Sequence, residues 1–366
     1  MVRAVYRWAG YSLRRALGVM PGCQIPAVLA TIKSGSTRTA GGHMRSVAIA
    51  SALLLTALPL PVAAVSDAQL PASTPAVTVP YFQHMLIVLP TDVYDAIKAA
   101  DLFKARFAKG EESTEVRNEG TYTYTNFYMP CRTTYFEFGR QSDADVEALP
   151  AVLEIGMFLD DYRDMPGMLA KARAAGGNWT IVPVRMTDDK GVNRPIYDIL
   201  AHSDRQYDEA GIAAGDSAEA LIPSHFGPED PSQRLDVFLL AMHGRKPPPV
   251  TREMFNSGDY RPDQLCGDIS AVEMTATRSE IDRAAHILGT LGLPRIDQGR
   301  DSVAFEGTGI RFVFRPAPIE APRKLDIVLA LNTALAEPET YSFGTASVLR
   351  LGTDRTAVWS FTLPRR

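Results

Sequence analysis

Residues 81–139 show two kinds of apolar spacing in turn. YFQHMLIVLP, Tyr81 to Pro90, is a nearly continuous apolar run of strand length with His84 inside it. In TDVYDAIKAADLFKARFA the residues Val93, Ile97, Ala100, Phe103 and Phe107 recur at steps of four, three, three and four, so they line one helical face. Thr91 stands where a cap is needed, Asp92 and Asp95 suit the positive end of the helix dipole, and Gly110 stops the run. STEVRN, TYTYTNFYM and TTYFEFG follow, and their Tyr, Thr and Phe favour strands. The unit predicted is βαβββ.

The order then recurs. AVLEIGMFLD (151–160) reads as a strand. MPGMLAKARAA reads as a helix with Pro166 in its first turn and Gly176-Gly177 past its end. WTIVPVRM, RPIYDILAH and RLDVFLLAMHG read as three more strands. The polar insertion at about 203–233 predicts a lid or a mobile loop. A third copy starts at DISAVEMTA (268–276). Thr277-Arg278-Ser279-Glu280 is a capping box, Ile281, Ala285, Leu288 and Leu291 form the stripe, and Gly292 and Pro294 end it. SVAFEG and IRFVFRP continue that copy. KLDIVLALN, YSFGTASVLRL and TAVWSFTL predict a degenerate fourth copy without its helix.

Charge changes the picture at the N-terminus. The formal net charge is −4, yet no Asp or Glu precedes Asp67. The body carries no basic stripe, which excludes a nonspecific grip on nucleic acid. Inside the acid-free segment, Arg45 follows Met44, an apolar run spans Val47–Leu60, and Pro61-Val62-Ala63-Ala64 closes it. This is the layout of a signal peptide at 44–64, cut after Ala64. The other reading is an uncleaved membrane anchor, but the run is shorter than the ~20 residues a span needs and Pro59 and Pro61 end it, so the membrane is expected only through this export signal. Residues 1–43 are expected to be an upstream leader, with translation starting at Met44. Arg14-Arg15 suggests a twin-arginine signal instead, but ALGVMPGCQIP after it is broken by Pro and Gly. Export implies a secreted or periplasmic protein, where Cys131 and Cys266 either pair or remain two thiols.

The repeat has a likeness. A βαβββ sheet with a helix on one face can pair with a second and close a cup, an arrangement that resembles the vicinal-oxygen-chelate superfamily, the glyoxalase and bleomycin-resistance fold. Residues 81–139, with a His-bearing strand, a short helix and TYFEF, resemble a family of exported bacterial glyoxalase-like proteins. The likeness implies an α+β protein of repeated βαβββ modules paired into curved sheets. It divides the chain into a linker at 65–80, a glyoxalase-like domain at 81–245, a linker at 246–264 and a second, partly degenerate domain at 265–366.

In metal-using members of that superfamily, ligands come from the first and fourth strands of each module. The resemblance implies His84, Glu137, Glu154 and His243 as candidates, a set suited to Fe, Mn, Zn or Ni with open positions for an oxygenated small molecule. Alternation puts His84 on one face with Phe82, Leu86 and Val88, and Glu137 with Thr133 and Tyr135. A one-residue slip turns Glu154 away. No nucleophile elbow, P-loop or dinucleotide fingerprint occurs, and no catalytic residue is assigned. Two readings stand: a metal-assisted lyase, isomerase or dioxygenase, or a metal-free protein that binds a small molecule between aromatic walls. N-terminal sequencing of the exported chain is expected to start near Val65; a mature chain starting at Met1 contradicts the signal.

Overall fold

The computed structural model describes residues 78–117, 122–140, 153–187, 193–203, 235–243, 250–297 and 302–364. The proposed signal and most of the 203–233 insertion lie outside these residues. Within them the chain forms two eight-stranded sheets. The first sheet holds β1 (Tyr81–Leu89), β2 (Glu111–Arg117), β3 (Tyr122–Pro130), β4 (Tyr135–Arg140), β5 (Leu153–Leu159), β6 (Asn178–Thr187), β7 (Asn193–Ser203) and β8 (Leu235–Met242). Its order is β2-β3-β4-β1-β5-β8-β7-β6. The first strand of each module thus lies in the middle, with β1 antiparallel to β5 and each parallel to its own module's last strand. This is the paired βαβββ architecture of the glyoxalase fold.

The second sheet repeats the order with β9 (Cys266–Ala276), β10 (Arg295–Asp297), β11 (Val303–Gly307), β12 (Ile310–Pro316), β13 (Arg323–Leu331), β14 (Glu339–Phe343), β15 (Ser347–Leu351) and β16 (Thr356–Leu363). One difference follows from the missing helix. A crossover helix returns the chain, so the last strand of a module runs parallel to its first. Without that return each strand reverses the one before, and β16 pairs antiparallel to β13.

Helices α1 (Thr91–Ala99), α2 (Met165–Ala174), α3 (Arg252–Asn256) and α4 (Arg278–Leu291) complete the described fold. Two predictions need correction. The stripe from Val93 to Phe107 is not one helix, because Ala100 is extended and Leu102–Arg106 form a separate π-helical turn. Thr91 is the first helical residue rather than the cap, which is Pro90. In α4 the capping box is formed by Thr277 and Glu280, and Gly292 ends it with φ of 98°.

The inner faces of both sheets meet in one apolar core. Trp359 lies at its centre, stacked on Phe103 at 5.1 Å and edge-on to Phe136 and Phe138. At one end a covalent clamp joins the sheets: Cys131 and Cys266 form a disulfide across 135 residues. Beside it Asp268 Oδ1 accepts from the amides and hydroxyls of both Thr133 and Thr134, at 2.8–3.0 Å. Replacing both cysteines with alanine is expected to lower unfolding free energy by about 2–4 kcal/mol. Urea unfolding would show this as a lower midpoint at an unchanged slope. An unchanged midpoint would mean that the clamp contributes nothing beyond the Asp268 hydrogen bonds.

Candidate functional site

The site is built on the outer face of the first sheet. Met85, Ile87 and Leu89 face the core, so His84, Leu86 and Val88 face outward. Phe82 was expected on the same face as His84, but it is not. The pairing of β1 with β5 shifts register between Phe82 and His84, and Gln83 is the extra residue. Phe82 therefore turns inward, where its ring meets Phe312 at 5.7 Å.

His84 stands opposite Tyr135 on one side and Gly156 on the other. Its ring lies over the glycine: a Cβ there would come within 2.1 Å of His84 Cε1. The imidazole stacks on Tyr135 at 4.6 Å with 9° between planes, and Phe238 closes the other flank at 5.5 Å. Burial pushes its pKa down to about 3, so the ring is neutral. Nδ1 lies 3.3 Å from Gln83 Oε1. Since that oxygen accepts, the proton belongs on Nδ1, and Nε2 keeps its lone pair.

Glu137 is buried on the same face and stands opposite Leu86. Its Oε1 accepts from Asn126 Nδ2 and, at 3.2 Å, from the Tyr128 hydroxyl. Glu154 also stands opposite Leu86, from β5, and is half-buried. His84, Glu137 and Glu154 thus share a face. His243 does not join them. It follows the inward-facing Leu239 and Ala241 by alternation, its Nε2 lies 2.9 Å from Asp198, and its ring meets Tyr162 at 4.8 Å.

The module symmetry shows what takes the fourth place. His84 precedes the end of β1 by the same five residues that separate Glu154 from the end of β5. Glu137 stands opposite the residue two beyond His84. Its counterpart, opposite the residue two beyond Glu154, is Phe238. Among the described residues no three His, Cys, Asp or Glu side chains come close enough to hold a metal. Glu137 already takes two hydrogen bonds, and Phe238 offers a ring where a fourth donor belongs. The donors in this arrangement do not fit a divalent ion.

Gly156, Phe238 and Phe255 escaped the sequence reading. Gly156 carries no sequence signal beyond being a glycine in a strand, which marks close approach of another group. Tyr135 was legible only as a neighbour of Glu137. Phe255 lies in the segment predicted as a linker, on α3. There Thr251 caps the helix by accepting from the Met254 amide at 3.2 Å.

No protein-family model matches the sequence, and no curated protein matches it. Solved structures do match, distantly. A hypothetical protein from Staphylococcus aureus is 10% identical, covers 75% of this chain and 98% of its own, and has a TM-score of 0.41. The Mn(II)-bound glyoxalase from Novosphingobium aromaticivorans is 12% identical over 79% of this chain and 83% of its own, with a TM-score of 0.34. BphC, a halotolerant catechol dioxygenase, is 11% identical over 80% and 89%, with a TM-score of 0.35. No chemistry is carried over from them. The fold assignment rests on the strand order above.

The buried imidazole makes a pH prediction. Below about pH 6.5 the unfolded chain binds a proton that folded His84 refuses until about pH 3. The folded state therefore loses stability as pH falls through that interval, and His84 costs nothing further below it. The loss from this residue is about 2 kcal/mol between pH 6.5 and 5. Denaturant unfolding of His84→Phe is expected to show a pH slope shallower by that amount. An identical slope in both proteins would mean that His84 titrates normally.

Proposed function

We propose that the outer face of the first sheet binds a small, planar, largely apolar molecule with hydrogen-bonding groups at its edge, and does so without a metal. The observation that carries this reading is the neutral His84, enclosed by Tyr135 and Phe238 over the side-chain-free Gly156. Two aromatic rings and an imidazole offer flat apolar contact, and the Nε2 lone pair offers one directed acceptor. Buried amide atoms beside them add to it. Gln83 Nε2 and Asn126 Oδ1 have no hydrogen-bond partner among the described residues, and each belongs to a side chain in contact with His84 or Glu137. A buried polar atom without a partner costs free energy until something satisfies it, and a ligand's polar edge would do so.

The protein is then a glyoxalase-like binding or sequestering protein rather than a metal-assisted lyase, isomerase or dioxygenase. We place it outside the cytoplasm. The signal at 44–64 motivates this, and the Cys131–Cys266 pair is what an oxidising compartment would close.

Thermal unfolding of chelator-treated protein separates the two readings. N-phenyl-1-naphthylamine, a neutral aromatic probe, is expected to raise Tm by about 2 °C or more at saturation, while Mn²⁺ and Zn²⁺ leave it unchanged. Stoichiometric Mn or Zn in the purified protein, lost on both His84→Ala and Glu137→Ala, would overturn the metal-free reading.

A further inference from the structure

The outer face of the first sheet is not open along its whole length. The chain that leaves the first sheet for the second crosses it as α3, and side chains of this helix pack on the sheet. Val250, Met254 and Phe255 join Phe158, Leu240 and Met242 in one apolar group. Phe255 also belongs to a second group with Tyr128 and Tyr135. It is the residue common to both, and its ring lies 5.8 Å from that of Tyr135 at 32°. Tyr135 in turn carries His84 on its face. The three rings form a chain of contacts from α3 to β4 to β1.

The backbone of this helix is fixed at both ends. At its start the Arg252 amide donates to Asp160 Oδ1 at 3.0 Å. The Arg252 guanidinium sits 4.0 Å from the centre of the Tyr81 ring and reaches the Phe82 carbonyl at 3.4 Å. At its end the buried Asn256 donates from Nδ2 to the Thr134 carbonyl at 3.2 Å. Between these anchors Met254 and Phe255 are half-buried. Lifting the whole helix would break polar contacts at both ends. Turning the Phe255 side chain leaves those polar contacts in place.

We propose that Phe255 is the gate of the binding site: its ring covers Tyr135 in the empty protein, and a planar ligand replaces that ring by turning Phe255 outward while α3 stays in place. This rests on the binding reading above. The closed position holds part of the protein in a form that cannot bind, so the apparent affinity is lowered by that fraction.

Fluorescence titration with N-phenyl-1-naphthylamine tests this on wild type, Phe255→Ala, Tyr135→Leu and Phe255→Ala/Tyr135→Leu, with each melting temperature recorded. Phe255→Ala is expected to bind the probe about fivefold more tightly than wild type, with the gain lost in the double variant. Should Phe255→Ala fail to fold, Phe255→Leu keeps apolar bulk without the ring and is expected to bind about twofold more tightly. Affinity equal to or weaker than wild type in these variants, with Tyr135→Leu still weakening binding, overturns the gate and leaves the binding site standing. Probe binding indifferent to both positions overturns both.

Discussion

The arrangement on the first sheet depends on one missing side chain. His84 occupies the volume that any Cβ at position 156 would need, with its ring atoms as near as 2.1 Å to that point. Because the ring can lie across the neighbouring strand, it stacks flat on Tyr135 and is sealed from water. Burial then keeps it neutral, and neutrality leaves a lone pair on Nε2. Packing, protonation and hydrogen-bonding capacity are thus a single constraint. A larger residue at 156 would move the ring, and the other properties would change with it.

The two sheets illustrate how far the same order of elements can diverge. In the first, crossover helices bring each module's last strand back parallel to its first, and the outer face gathers rings, His84 and Glu137. In the second, the absent fourth helix leaves an antiparallel run, and the corresponding face shows Glu273, Arg315, Lys324 and Asp326 to solvent. The disulfide and Asp268 hold the sheets together at the strand ends, while Trp359 fills the layer between them. One outer face gathers rings and buried polar groups, and the other carries charged side chains.

Much of this was legible in the sequence. Alternation placed His84 and Glu137 on one face, because parallel pairing of a module's first and last strands brings residues far apart in sequence side by side. The capping box fixed the start of α4, and the lack of a helical stripe after residue 323 showed that the fourth copy has no helix, though not that its strands reverse. What escaped detection has physical reasons. A bulge at Gln83 leaves no periodic mark, so Phe82 was turned the wrong way. His243 depended on parity along β8, where no motif sets register. A five-residue helix is too short to show a period, so α3 read as part of a polar linker, and with it Phe255 was lost. The stripe through Ala100 fitted a helix that the backbone interrupts.

The central claim, a neutral His84 that takes part in binding without a metal, is tested most directly by ¹⁵N NMR of the imidazole nitrogens across pH and with added Mn²⁺. The account predicts a single neutral tautomer, protonated at Nδ1, that persists down to about pH 4 and keeps its signal beside stoichiometric Mn²⁺. A ring that titrates near its ordinary value, about 6.5, or a signal bleached by one equivalent of Mn²⁺, would contradict it.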